Sequence, residues 1–239
     1  MMFNFLMCLL GIILGILVLA ILIVLGINFR IQQLKKEKYT DEERFSFVSS
    51  VASWAVPLIF RVKVEATGLE KLENVKTGAL YPNHQSIIDV AVTAKAIKRP
   101  HGYVAKKELD NIFLISDAMR LIDCQFMDRN DVRQSVKVIS AATKSVKEGH
   151  LMVIFPEGTR KIRGEMGTFK AGSFKISQKA KADIIPVTID NSYEVSKRWP
   201  RRTVVKMEIH DPIPYEKYES LSTSEISEMV EGIVKKDLV

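Results

Sequence analysis

Cysteine is nearly absent: the chain has two in 239 residues, Cys8 inside an apolar run and Cys124 far along the sequence. A pair so placed builds neither a disulfide framework nor a cysteine-based zinc site. The four histidines show no metal-ligand spacing, so no metal is expected. A serine-nucleophile elbow is missing as well, since Gly172-Ser173 lacks both a preceding strand and the second glycine. There is no internal repeat and no low-complexity segment. The basic residues are not interleaved with stacking aromatics, which argues against nucleic acid. With 47% apolar and 26% charged residues the chain is not a disordered one, and its net charge of +7 favours an anionic partner.

The longest absence is of charge. No charged side chain precedes Arg30, and residues 5–27 are 23 consecutive apolar or glycine positions. As a helix that stretch runs roughly 34 Å, enough for a hydrocarbon core of about 30 Å. It has no basic start and no small-x-small site before Arg30, so residues 1–29 read as a retained transmembrane anchor rather than a cleaved signal. Arg30, Lys35, Lys36 and Lys38 follow at once, which places what comes after on the cytoplasmic side of a single-pass membrane protein. A second uncharged stretch covers residues 45–60. Ser46, Ser49, Ser50 and Ser53 fall on one helical face, Val48, Val51, Ala52, Ala55 and Ile59 on the other, with Trp54 between and Pro57 as a bend. Residues 30–60 are therefore expected to be a basic linker and an interfacial amphipathic helix, the alternative being an ordinary core-facing helix.

From residue 61 the pattern alternates. Strands are expected at 62–66, 79–81, 102–105, 125–127, 151–155, 184–189 and 204–209, and helices at 86–97, 131–148, 171–180 and 222–236. In 131–148, Val132, Val136, Ile139 and Val146 recur at helical spacing, and Gly149 supplies a stop. The expected class is α/β: a mixed, largely parallel sheet flanked by helices, with an N-terminal membrane helix and one domain over 61–239.

In such a sheet, chemistry belongs at the C-terminal ends of strands. One such end reads Asn83-His84-Gln85-Ser86-Ile87-Ile88-Asp89. A carboxylate at Asp89 would accept an imidazole N–H and leave the other ring nitrogen of His84 free to take a proton from a hydroxyl. Ser86-x-x-Asp89 is also a capping-box pattern, so a purely structural role competes. A second end runs into Phe155-Pro156-Glu157-Gly158-Thr159-Arg160. Glycine admits close approach of a ligand and arginine offers a two-pronged donor for phosphate, although Glu157 beside Arg160 also fits a surface ion pair. Lys106, and Arg129 after another short strand, add cations near the same edge. Ile184-Ile185-Pro186-Val187 is an apolar strand in which proline marks an edge or bulge.

Taken together, His84-x4-Asp89, Phe126-Met127-Asp128-Arg129, Phe155-Pro156-Glu157-Gly158-Thr159-Arg160 and Ile185-Pro186-Val187 resemble, in order and spacing, the four blocks of the glycerolipid acyltransferase family. The bacterial 1-acyl-glycerol-3-phosphate acyltransferases are the nearest in pattern. The resemblance covers roughly residues 62–215. It implies His84 as general base and Asp89 as its orienting partner. It places Glu157, Gly158, Thr159 and Arg160 at a glycerol-phosphate site with Lys106 and Arg129 nearby, and Pro186 on the acyl-donor or acyl-chain side. The second block departs most, with Cys124-Gln125-Phe126 where small residues are frequent. The implied reaction moves an acyl group from acyl-CoA or an acyl carrier protein to lysophosphatidic acid, giving phosphatidic acid among membrane lipids, with no other cofactor. Rival readings are a relative acting on glycerol 3-phosphate or another lysophospholipid, and a catalytically silent lipid-binding membrane protein.

Overall fold

The computed structural model describes residues 2–160, 165–236 and 238. The chain divides into two compact units, Met1–Thr40 and Asp41–Val239. The first is dominated by helix α1, Met2–Leu34. Among the described residues it is the one helix long and apolar enough to cross a membrane, and such a helix associates its chain with membranes. The Arg30 guanidinium, in the last turns of this helix, and the Lys38 ammonium beyond it both lie over the Tyr39 ring, 5.2 and 5.0 Å from its centroid.

The second unit opens with α2, Asp41–Leu58, whose first turn carries Asp41, Glu42 and Glu43, as a helix N-terminus favours. A seven-stranded sheet follows: β1 Val62–Thr67, β2 Gly78–Pro82, β3 His101–Lys106, β4 Gln125–Met127, β5 Leu151–Val153, β6 Asp183–Asp190 and β7 Thr203–Ile209. Its spatial order is β1-β7-β6-β2-β5-β3-β4. Strands β2 to β6 all run parallel, β7 is antiparallel to β6, and β1 is parallel to β7. The carboxyl ends of β2 to β6 therefore share one edge of the sheet with the amino ends of β1 and β7.

The helices are α3 Ile88–Ala96, α4 Ile115–Leu121, α5 Val132–Lys147, α6 Lys175–Ala180, α7 Glu194–Arg198 and α8 Thr223–Lys236. One core joins Ala79 and Tyr81 of β2, Met152 of β5 and Ile184 of β6 to Ala142 and Val146 of α5, Ile176 of α6 and Val230 of α8. Helix α2 packs against α3 and β1. It buries Phe45, Ser49 and Val56 while Trp54 and Leu58, and Ile59 just past its end, stay exposed, so the serine and aliphatic faces expected for it do not divide cleanly.

One further expectation changes, and one of two alternatives is decided. Val132 and Val136 do not face the core. They are 77% and 57% exposed, and the buried stripe of α5 is Val138, Ala142 and Val146. The cause is local: Gln134 donates to Phe126 C=O at 2.7 Å and accepts from Asp128 N–H at 2.8 Å, and Ser135 donates to Asp128 C=O at 2.9 Å. Closing the end of β4 this way turns those polar side chains inward and the valines out. Pro186 sits on β6, an interior strand. The Ile184–Ile213 bridge and the Val187–Ile209 pair are three residues apart on β6 but four on the partner. The bulge this creates lies beside Pro186, where the missing N–H is tolerated.

His101 is buried between Phe45, with ring centroids 4.6 Å apart, and Tyr103. Its Nδ1–H donates to Arg99 C=O at 2.9 Å and its Nε2 accepts from the Tyr103 hydroxyl at 2.8 Å. Burial pushes its pKa down to about 4. The unfolded value is about 6.5, so between these values the unfolded chain binds the extra proton and stability falls on acidification. We expect a loss of up to about 3 kcal/mol between about pH 6.5 and 4. Denaturant midpoints measured across that window should show the slope in the native chain and a much smaller one in His101→Gln.

Candidate active site

The loop after β2 is held by side chains that imitate backbone pairing. Asn83, fully buried, donates to Ile189 C=O at 2.8 Å and accepts from Ile189 N–H at 2.7 Å, extending the β2–β6 ladder past its last strand residue. Gln85 accepts from Ser192 N–H at 3.2 Å. Between these clamps stands His84, and its own N–H donates to Glu157 Oε1 at 2.6 Å.

Asp89 lies in the first turn of α3, fully buried. Its Oδ2 accepts from Gln85 N–H and Ser86 N–H, both at 2.8 Å, and stands 2.8 Å from His84 Nδ1. An oxygen already accepting two amides makes Nδ1 the donor, so His84 Nε2 keeps its lone pair. Among the described residues nothing hydrogen-bonds Nε2. The His84 side chain is 16% exposed and its ring stacks on Phe155 with centroids 4.2 Å apart. The capping reading is half realised: the Asp89 carboxylate reaches Ser86 N–H, but the Ser86 hydroxyl meets Ile88 N–H at 3.4 Å rather than Asp89 N–H. One carboxylate oxygen thus starts the helix and orients the imidazole. Among the described residues Asp89 Oδ1 has no hydrogen-bond partner.

Strand β5 lies beside β2, so its trailing loop meets the His84 loop. Glu157 is buried, 3% exposed; Oε1 takes His84 N–H and Oε2 takes Gly167 N–H at 2.7 Å. It ties the histidine loop to the chain returning toward Lys170, whose N–H bonds Pro156 C=O at 2.9 Å. Gly158 has φ +71°, a backbone conformation that favours glycine, and the Lys170 ammonium lies 2.9 Å from where a Cβ would stand. Thr159 and Arg160 are exposed. Lys106, at the end of β3, pairs with Glu108 at 2.8 Å, and Glu108 also acts electrostatically on Arg129. The Lys106 hydrogen bond holds the Glu108 carboxyl below its ordinary range. Pairs this exposed contribute little, so both cations remain available to an anion.

The structure thus gathers His84, Asp89, Glu157 and Gly158 tightly, sets Thr159 and Arg160 on the same loop, and leaves Lys106 and Arg129 on neighbouring strand ends. Pro186 lies deeper, buried and in register with Tyr81 three residues before His84. Sequence reasoning missed Lys170, which no motif marks, and the part Phe155 plays as a platform for the imidazole. Among the described residues no three metal-ligating side chains converge. A groove of about 700 Å³, lined by Phe45, Ser49, Ser53, Trp54 and Lys98, runs along α2 and includes none of these groups.

One edge of the α/β sheet thus carries a histidine–carboxylate pair with an imidazole nitrogen free among the described residues, and beside it a glycine loop that ends in the exposed Arg160. The chain belongs to the acyltransferase family, whose model matches residues 63–190. It is 32% identical over 163 residues to the probable 1-acyl-sn-glycerol-3-phosphate acyltransferase of Mycoplasma pneumoniae, covering 65% of this chain and 59% of that protein. The Mycoplasma genitalium protein of the same description is 34% identical over 177 residues, covering 70% and 65%. The chain thus spans about three fifths of the length of these relatives. The crystal structure of the 1-acyl-sn-glycerophosphate (LPA) acyltransferase from Thermotoga maritima shares the fold, with a TM-score of 0.71, 23% identity, and 89% of this chain and 86% of that one covered.

Proposed function

We propose that this protein transfers a fatty acyl group from a thioester, acyl-CoA or an acyl carrier protein, to the 2-hydroxyl of 1-acyl-glycerol 3-phosphate, giving phosphatidic acid. The observation that carries this reading is His84: Nδ1 bound to Asp89, Nε2 free, and the Glu157–Arg160 loop bonded to its backbone. His84 Nε2 takes the proton of the acceptor hydroxyl as its oxygen attacks the thioester carbonyl. Asp89 stabilises the imidazolium, the carbon–sulfur bond breaks, and the thiolate takes the proton back from Nε2. Gly158, Thr159 and Arg160, with Lys106 and Arg129, receive the phosphate, Glu157 fixes the loop that presents them, and Pro186 lies toward the acyl donor. No metal or prosthetic group enters this scheme. The names of the relatives and the family membership support the reading. On the same reading α1 crosses the membrane once, and Arg30, Lys35, Lys36 and Lys38 keep the enzyme on the cytoplasmic side.

Arg160→Lys tests the acceptor side. Lysine keeps the charge but loses the planar fork. A hydrogen bond to a charged group contributes about 1.5–3 kcal/mol, so kcat/KM for 1-acyl-glycerol 3-phosphate should fall by roughly one to two orders of magnitude. Turnover of the phosphate-free 1-acylglycerol should barely change. A raised KM for the thioester with an unchanged KM for the lysolipid would move Arg160 to the donor side. A larger kcat/KM for glycerol 3-phosphate than for its 1-acyl derivative would identify the rival acceptor.

A further inference from the structure

The space that glycine leaves at residue 158 is filled by a lysine. The Lys170 arm lies along Gly158, with Nζ, Cε and Cδ at 2.9, 3.2 and 3.3 Å from the point a Cβ there would occupy. Its backbone holds it in place. Gly167 N–H bonds Glu157 Oε2 at 2.7 Å, Phe169 N–H bonds Glu231 Oε2 at 2.8 Å, and Phe169 C=O accepts from the Ser227 hydroxyl at 2.9 Å. Lys170 N–H bonds Pro156 C=O, and Ser173 N–H bonds Lys170 C=O, both at 2.9 Å. The Phe169 ring is buried in the core that includes Val230 of α8. The Glu157 loop on one side and α8 on the other thus fix where the Lys170 side chain starts.

The charge at its end is unspent. Lys170 is exposed, and no ion pair among the described residues occupies its ammonium. A lysine stem is flexible, and laying it along a glycine restricts where that charge can go. Gly158 N–H turns back to Phe155 C=O at 3.1 Å. The ammonium therefore lies against the turn Phe155–Gly158, in which Phe155 stacks on the His84 ring and Glu157 bonds the His84 amide.

We propose that Lys170 is a cation of the acceptor-phosphate site, delivered through the space that Gly158 leaves open. Its ligand is a phosphate monoester, and the proposed reaction brings phosphate from two sources. On 1-acyl-glycerol 3-phosphate the phosphate sits on the carbon next to the one that bears the reacting hydroxyl. A hydroxyl at His84 Nε2 therefore brings the phosphate to the groups beside His84. On coenzyme A or an acyl carrier protein the whole pantetheine arm separates phosphate from thioester. Nearness to His84 thus selects the acceptor, and the assignment rests on the reading that 1-acyl-glycerol 3-phosphate is that acceptor. A phosphate monoester carries about two negative charges near pH 7, more than one arginine neutralises. Lys106 and Arg129 stand on neighbouring strand ends, whereas Lys170 reaches the glycine loop itself. Arg160 offers a planar fork, and Lys170 adds a point charge.

The test reads the amine directly. The full chain in detergent is treated with an amine-acetylating reagent, and modification of Lys170 is followed by mass spectrometry against the exposed Lys179 of α6. At about ten times its Kd, 1-acyl-glycerol 3-phosphate should slow modification of Lys170 roughly tenfold and leave Lys179 unchanged. The phosphate-free 1-acylglycerol should not protect. Protection by coenzyme A in place of the lysolipid would move Lys170 to the donor side and overturn the proposal, as would protection that does not depend on the phosphate. Kinetics give a second readout. Lys170→Met keeps the length and loses the charge, so kcat/KM for 1-acyl-glycerol 3-phosphate should fall about 10- to 100-fold while that for 1-acylglycerol barely changes. Lys170→Arg should recover most of the loss. An equal fall with both acceptors would reduce Lys170 to a structural part. The labelling needs no acyl transfer: a chain that is protected and transfers nothing would overturn only the acyl-transfer reading, and an active chain with an unprotected Lys170 only this proposal.

Discussion

His84→Ala should abolish turnover and leave the fold in place. A lost general base costs typically about 10²–10⁴ in rate, and here no other described group sits where Nε2 does. The fold should survive because the loop does not depend on the imidazole. Asn83 remains paired with Ile189, Gln85 with Ser192, and the His84 N–H still reaches Glu157. Asp89 retains its two backbone donors. The check is kcat of the purified protein with acyl-CoA and 1-acyl-glycerol 3-phosphate, alongside a thermal melt. A kcat within tenfold of the native value, with an unshifted melt, would remove His84 from the chemistry and leave the silent lipid-binding reading standing.

Asp89→Asn should be about as damaging to rate, and much milder to stability than Asp89→Ala. The amide oxygen can replace Oδ2 as acceptor for Gln85 N–H, Ser86 N–H and His84 Nδ1–H, so the geometry is kept while the charge that stabilises the imidazolium is lost. In the serine-protease triad the same exchange lowers kcat by about 10⁴, and a loss of about 10³–10⁴ is expected here on that analogy. The new NH2 takes the place of Oδ1, which has no described partner, and an unsatisfied buried polar group costs about 1–3 kcal/mol. Asp89→Ala separates the roles further. It removes the acceptor from three donors at once and should destabilise the protein several-fold more than the asparagine variant. A fully active Asp89→Asn with an unstable Asp89→Ala would return this carboxylate to helix capping alone.

Much of this was legible before any coordinates. All seven strands stand where alternation and apolar runs place them, because a buried strand must be apolar whatever its neighbours. The four motif blocks were readable because chemistry demands particular residue types at particular chain spacing. What was misread turned on contacts. Val132 and Val136 have the period of a core stripe, but Gln134 and Ser135 win the inward positions through hydrogen bonds to β4. Helix α4 is seven residues long and enters from a positive-φ leucine, so it left no periodic or capping signal. That Glu157 is buried and takes the backbone N–H groups of His84 and Gly167 is a matter of chain contacts that its place beside Arg160 does not show.

The sequence by itself determined the seven strands, the apolar N-terminal helix and the order and spacing of the candidate site residues, since these depend on side-chain chemistry and local spacing. Only the tertiary structure decided that β5 lies against β2, so that Glu157 meets an amide 73 residues away at His84. It alone decided that β1 and β7 run against the other five strands, which brings their amino ends to the edge that carries His84. Strand order and direction come from how whole faces of helix and sheet bury one another, and no local pattern along the chain encodes that sum.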